Sequence, residues 1–90
     1  MAYIPVHSGQ FKKDVKRMLS RGKDGTALGR ILTLLANGKK LEQKHRDHAL
    51  IGKYANRREC HIEPDWLLIY SIAKDRIVFE RTGSLSDLFR

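Results

Sequence analysis

Apolar residues recur along the chain in two rhythms, and the change of rhythm divides it in half. Phe11, Val15, Met18 and Leu19 fall at helical spacing, with Lys12, Lys13, Lys16 and Arg17 crowding the other faces. Ser8 suits a helix N-cap, and Gly22 can close the helix in a left-handed cap. Leu28, Ile31, Leu32 and Leu35 mark a second stripe, with Asp24 to cap its start and Gly38 where a C-cap glycine belongs. The pattern predicts a helical hairpin with a short connection. Ahead of it, residues 2–7 carry Tyr3, Ile4 and Val6 as a short strand. Pro5 has no N–H for a ladder, so this strand is an edge or a frayed end.

Periodicity fades between Lys39 and Lys53, where polar residues dominate. This stretch reads as a basic loop with room for one helical turn, and loops carry function more often than scaffold does. Strand-like alternation follows. Residues 57–62 form one strand, and Glu63-Pro64-Asp65 makes a turn, with proline pre-set for its first central position. Residues 66–72 are nearly all apolar, as in a central strand buried on both faces. Residues 73–75 turn the chain. Residues 76–82 then alternate, with Ile77, Phe79 and Arg81 expected on one face and Val78, Glu80 and Thr82 on the other. Gly83 ends this strand, and Ser84 caps a final turn or short helix from Leu85 to Phe89. The order is β-α-α-β-β-β-α. It predicts an α+β fold in which an antiparallel sheet packs against a helical hairpin, with a short C-terminal helix, as one domain over residues 1–90.

Charge adds a preference for polyanions. The net charge is +8 and the pI about 10.0, a balance that favours phosphate-rich partners through counterion release. Residues 1–45 hold ten Lys/Arg and three Asp/Glu, a net of +7, while residues 46–90 hold eight and seven. The front half is thus the electrostatic footprint, and the back half has carboxylates to spare for specific tasks. A deep private cavity for a cofactor does not suit a chain of 90 residues. Cys60 is the only cysteine, which rules out an intrachain disulfide and fits a reducing compartment. The first ten residues do not read as a signal peptide, and the apolar run at 66–70 is too short to cross a bilayer. The expectation is a cytoplasmic protein without a membrane partner.

Four features could carry chemistry. His48 sits in the basic loop, where an imidazole can hydrogen-bond a phosphate or move a proton, though an isolated loop histidine usually does neither. His61 ends one strand and Asp65 begins the next, so a base and a carboxylate can lean over one sheet edge. The competing reading has Asp65 capping backbone donors and Trp66 in the core rather than stacked on a base. Arg81 can hold a phosphate, or simply pair with Glu80 or Glu63. A metal site from His45, His48, Cys60 and His61 is set aside, because adjacent Cys60 and His61 point to opposite sheet faces. No cofactor is expected.

The run 58–70, Arg-Glu-Cys-His-Ile-Glu-Pro-Asp-Trp-Leu-Leu-Ile-Tyr, closely resembles the YafQ branch of the RelE bacterial toxins. So do Asp47-His48-Ala49-Leu50 with Gly52-Lys53, and the ending Glu80-Arg81-Thr82-Gly83-Ser84 with Leu88-Phe89. The resemblance covers nearly the whole chain. It implies a toxin of a type II toxin–antitoxin system that cuts messenger RNA in the ribosomal A site, by attack of a ribose 2′-hydroxyl on the adjacent phosphate. It implies an antitoxin that blocks the toxin, with operator DNA met only through their complex. By motif match His48, His61 and Asp65 fall on active-site positions, with Asp65 as base or relay and the histidines positioning phosphate and hydroxyl. Arg81 matches a phosphate holder, Trp66 and Phe89 lie near substrate, and Lys12, Lys13, Lys16, Arg17 and Lys53 are candidates for contact with the ribosome and its RNA. One position departs. Where the family pattern expects a histidine that could act as general acid, this chain has Leu85, which cannot move a proton. Two explanations fit: a naturally weakened enzyme, or a deliberate replacement that lets a lethal protein be produced. The second better explains why the rest of the pattern is kept. A non-catalytic basic protein that binds RNA or the ribosome is the alternative function, and would not require His48, His61 and Asp65 to converge.

Overall fold

The computed structural model describes residues 2–89. Strand β1 (Ile4–His7) leads into α1 (Gly9–Ser20) and α2 (Gly25–Ala36); then come β2 (His48–Ala49), β3 (Arg58–Glu63), β4 (Trp66–Ala73), β5 (Arg76–Gly83) and α3 (Leu85–Phe89). The caps read from sequence form. The Ser8 side chain accepts from the Phe11 N–H, and Asp24 from the Thr26 N–H. Gly22 and Gly38 both take positive φ. The 39–53 stretch contains 3-10 turns at Gln43–His45 and Gly52–Tyr54, and between them the two-residue strand β2, which the fading periodicity did not signal.

The five strands run in the order β1-β5-β4-β3-β2. The expected antiparallel meander is β3-β4-β5, and β2 extends it antiparallel from β3. Strand β1 pairs in parallel with β5 at the far edge, where Pro5 can be tolerated. The helices cover one face. There Phe11, Met18, Leu28 and Ile31 pack on Trp66, Leu68, Tyr70, Ile77 and Phe79, and this is the main core. The other face has a smaller apolar cluster, Leu67 and Ile69 under Leu88, with Leu50 and Tyr54 beside them. Strand β4 is therefore buried on both sides from Trp66 to Tyr70, as its composition predicts, whereas Ile72 is 44% exposed.

Arg81 lies on the face opposite to the one its alternation predicts. Tyr70 pairs with Phe79, but its neighbour Ile69 pairs with Arg81, so Glu80 is an extra residue in β5. This bulge resets the period-two alternation. Ile77 and Phe79 stay in the main core, while Arg81 joins Ile69 on the second face. Alternation alone would have driven the guanidinium towards the core.

Candidate active site

Register assembles the site. His48 stands opposite Glu59, Glu59 opposite Ile69, and Ile69 opposite Arg81, one row across four strands of the second face. The next row holds His61, Leu67 and Gly83. Opposed residues share a face, so His48, Glu59 and His61 converge. The Nε2 atoms of His48 and His61 lie 3.6 Å and 3.5 Å from the same carboxylate oxygen, Oε1 of Glu59. Glu59 is buried beneath them.

Each imidazole is aimed by its own loop. The Nδ1 of His48 donates to the Arg46 carbonyl at 2.5 Å, and Arg46 presents that carbonyl from a left-handed backbone conformation (φ 46). The Nδ1 of His61 donates to the Pro64 carbonyl at 3.1 Å. With both Nδ1 atoms so occupied, both Nε2 atoms are left to face Glu59. Strand β2 is held from below: Asp47 accepts from the Tyr70 hydroxyl at 2.6 Å and from Arg58 Nε at 3.2 Å. Burial, and then the Asp47 carboxylate, push the Tyr70 phenol up, so it remains the donor of that bond. His45 Nδ1 donates to the His61 carbonyl at 2.6 Å, tying the basic loop to β3.

Asp65 does not stand free. Its Oδ1 accepts the Leu85 N–H at 3.0 Å, so it caps a backbone donor of the C-terminal segment, at the start of α3. That bond draws residue 85 to the hairpin that carries His61. Leu85 itself is 58% exposed there. Phe89 packs edge-on against Tyr54, with ring centroids 5.4 Å apart. Arg81 pairs with neither Glu80 nor Glu63. Its Nε and Nη2 bind Asp14 of α1 at 2.7 and 3.3 Å. It also borders an open basin of about 550 Å³ shared with Lys53, Tyr54 and Arg57. Three strand spacings separate the Cα atoms of His48 and Arg81, about 14 Å, so the guanidinium flanks the histidine cluster rather than entering it.

Other expected residues lie elsewhere. Trp66 is fully buried on the helix-covered face, donating its indole N–H to Thr82 Oγ1 at 2.9 Å, so no base can stack on it. Lys12, Lys13, Lys16 and Arg17 are exposed on α1, which packs on that same face. Cys60 is buried there too, and burial pushes its thiol up, so the Cys60–His61 pair is split across the sheet. Among the described residues no group of three or more His, Cys, Asp and Glu is placed to hold a metal ion. Glu59 escaped sequence reasoning. The signal was its place two residues before His61 on one strand, which puts both on one face.

A family model described as the bacterial toxin of the type II toxin–antitoxin system, YafQ, matches residues 3–90. The chain belongs to the YafQ toxin family. An Escherichia coli K12 relative, named mRNA interferase toxin YafQ, is 43% identical over 84 residues, covering 92% of this chain and 91% of the relative. The crystal structure of YafQ from E. coli BL21(DE3) superposes with a TM-score of 0.93 at 40% identity, covering 98% of this chain and 99% of that one. YafQ in the E. coli DinJ–YafQ toxin–antitoxin complex gives 0.91 at 40% identity, with all of both chains covered. These matches support the α+β, RelE-like architecture read from the YafQ-type motifs. Among the described residues no helix is long and apolar enough to cross a membrane.

The cluster suits proton transfer. A proton taken up at either Nε2 lies 3.5–3.6 Å from Glu59 Oε1, an ion-pair distance from which transfer requires the contact to tighten. Residue 85 is exposed beside the β3–β4 hairpin, tied to it by the bond from its N–H to Asp65.

Proposed function

We propose that this YafQ-family chain is an mRNA endonuclease toxin of the ribosomal A site whose rate is reduced by Leu85. The observation that carries the reading is the convergence of His48 and His61 on Glu59 Oε1. In the reaction a 2′-hydroxyl oxygen bonds to phosphorus and the P–O5′ bond breaks. This leaves a 2′,3′-cyclic phosphate and a 5′-hydroxyl. The His48–Glu59–His61 cluster takes the hydroxyl proton, and Arg81 and Lys53 supply positive charge to the phosphate region. Asp65, bound to the Leu85 N–H, positions residue 85 instead of acting as base. The 5′-oxygen needs a proton donor, and Leu85 offers none. The rest of the motif pattern is kept in the sequence, which favours a histidine replaced so that the protein could be produced. A cognate antitoxin blocks this face in the cell, and operator DNA is reached only through that complex. So small a domain needs the ribosome to orient its message. The setting is the cytoplasm.

The test maps 5′ ends of cleaved message on ribosomes for this chain, for Leu85→His, and for Leu85→His with Glu59→Gln. Leu85→His should cut about 10²–10⁴-fold faster and arrest growth without antitoxin, and Glu59→Gln should remove the gain. If Leu85→His neither cuts nor arrests growth, the enzyme reading fails. Leu85 then favours a basic protein that binds RNA or the ribosome without cutting.

A further inference from the structure

Asp14 and Arg21 stand seven positions apart on the helix α1 and its C-cap, hence on one helical face. Each reaches the segment that bears Arg81 and residue 85. Asp14 is 1% exposed. It accepts from Arg81 Nε and Nη2, from the Thr82 N–H at 3.2 Å, from Gln10 Nε2 at 3.0 Å and from Arg17 Nη2 at 3.2 Å. Burial pushes its carboxyl up, but the bonds from Arg81, Gln10 and Thr82 outweigh burial and hold it below the usual carboxylate range. Asp14 is thus an interior anion whose main counter-ion is Arg81. Arg21 grips Asp87 of α3 with two bonds, of 2.7 and 3.1 Å, in fork geometry. Asp87 Oδ2 accepts the Ser84 N–H at 2.8 Å, and the Asp87 N–H donates to Ser84 Oγ at 3.1 Å. That reciprocal cap fixes the turn on which Leu85 sits. Gly83 is what lets Asp87 approach, since a Cβ there would come within 2.9 Å of the Asp87 Cβ.

We infer that Asp14 and Arg21 are positioning residues for cleavage: Asp14 fixes the Arg81 guanidinium, and Arg21, through Asp87, fixes the backbone of residue 85. This rests on the reading that Arg81 and residue 85 serve the scissile phosphate. Neither contact is explained well by stability alone. A buried ion pair is weak evidence for stability, and an exposed one contributes little. Both are suited to orientation. Asp14 engages Nε and Nη2 of Arg81 and leaves Nη1 without a bond among the described residues, so the group is aimed while one donor stays open. The helix that covers the core therefore also sets the geometry at the far end of the second face.

The test uses the full chain carrying Leu85→His, with Asp14→Asn, Arg21→Ala or Arg21→Lys added. Single-turnover cleavage on ribosomes is followed at saturating toxin, and the Arg81 Nε–H and residue 85 amide signals are followed by nitrogen-15 NMR of the free protein. Asp14→Asn should lower the saturated rate about 10²-fold and move the Arg81 signal, with half-saturation unchanged. Arg21→Ala should lower the rate roughly tenfold and move the residue 85 amide, and Arg21→Lys should recover part of both. Unchanged β3 and β4 amides show that the fold persists. A variant whose rate and reporter signal both match the parent overturns the inference while the cleavage reading stands. If Asp14→Asn fails to fold, the two Arg21 variants decide. If Leu85→His itself does not cut, the cleavage reading fails, and the NMR reporters then decide whether the two contacts orient the segment.

Discussion

The two faces of the central strands are made from one alternating sequence and finish as opposites. Under the helices, alternate residues in the middle of β3 and β4 are sealed in: Cys60 and Ile62, then Trp66, Leu68 and Tyr70. On the reverse, the intervening positions hold Glu59 and His61 on β3 and Leu67 and Ile69 on β4. The first face is closed by two full helices. The second is closed only in its middle, by Leu88, Leu50 and Tyr54. The His48–Glu59–His61 cluster proposed for the chemistry lies on that partly covered face. A small protein can thus spend one face of a sheet on stability and leave the other for function, provided the register brings polar residues into line. Arg81 is the exception that needed a bulge to change faces.

The strongest way to break this contrast is to take the carboxylate partner from Arg81 with Asp14→Leu. The partly buried guanidinium then loses both bonds that hold it. Burying that cation unpaired should cost about 3–5 kcal/mol, read as a lower midpoint of urea unfolding. Glu80→Ala keeps the bulge and loses only the 2.6 Å bond from Arg57. It should cost no more than about 1 kcal/mol. Equal effects from the two changes would mean that Arg81 does not depend on its bonds to Asp14.

Trp66→Phe and Glu59→Gln sharpen the contrast from either side. Trp66→Phe removes the indole donor to Thr82 inside the main core and should cost about 1–3 kcal/mol. It should leave the affinity of the folded protein for ribosomes unaltered. Glu59→Gln should do the reverse, shifting stability by under about 1 kcal/mol while removing cleavage in the Leu85→His background. Weaker ribosome binding by folded Trp66→Phe would show that Trp66 acts at the functional face after all.

Local rules reached most of the scaffold. Ser8, Asp24, Gly22 and Gly38 mark both helices because caps are written within a few residues, and 66–72 declares a central strand by composition alone. Strand β2 was hidden, since two residues have no period and His48–Ala49 exists only because β3 offers an edge. The parallel pairing of β1 with β5 joins residues more than seventy positions apart, and no local pattern encodes it. The motifs pointed to His48 and His61 through resemblance, but Glu59, Asp14 and Arg21 emerge only from cross-strand register and helix packing. Asp65 was visible as both a candidate base and a backbone cap, and the Leu85 N–H fills the second role.

The smallest expected effect is on acid tolerance, and it isolates the α1–α3 contact. The Arg21 fork, and after it the Ser84 N–H, hold the Asp87 carboxyl well below the usual carboxylate range. A carboxyl depressed by folding adds stability above its unfolded pKa, near 4, and that contribution disappears as pH falls through the folded value. Arg21→Ala removes the largest cause of the depression. The stability difference between the parent and Arg21→Ala should therefore be constant from pH 7 to about 5 and shrink as the carboxyl is protonated below pH 4. Both partners lie near the surface, so the difference should also shrink in high salt. Urea midpoints from pH 7 to pH 2 at two ionic strengths measure it. A difference that widens on acidification would mean that Arg21 does not hold Asp87, and that α3 is set by its Ser84 cap and the Asp65 bond alone.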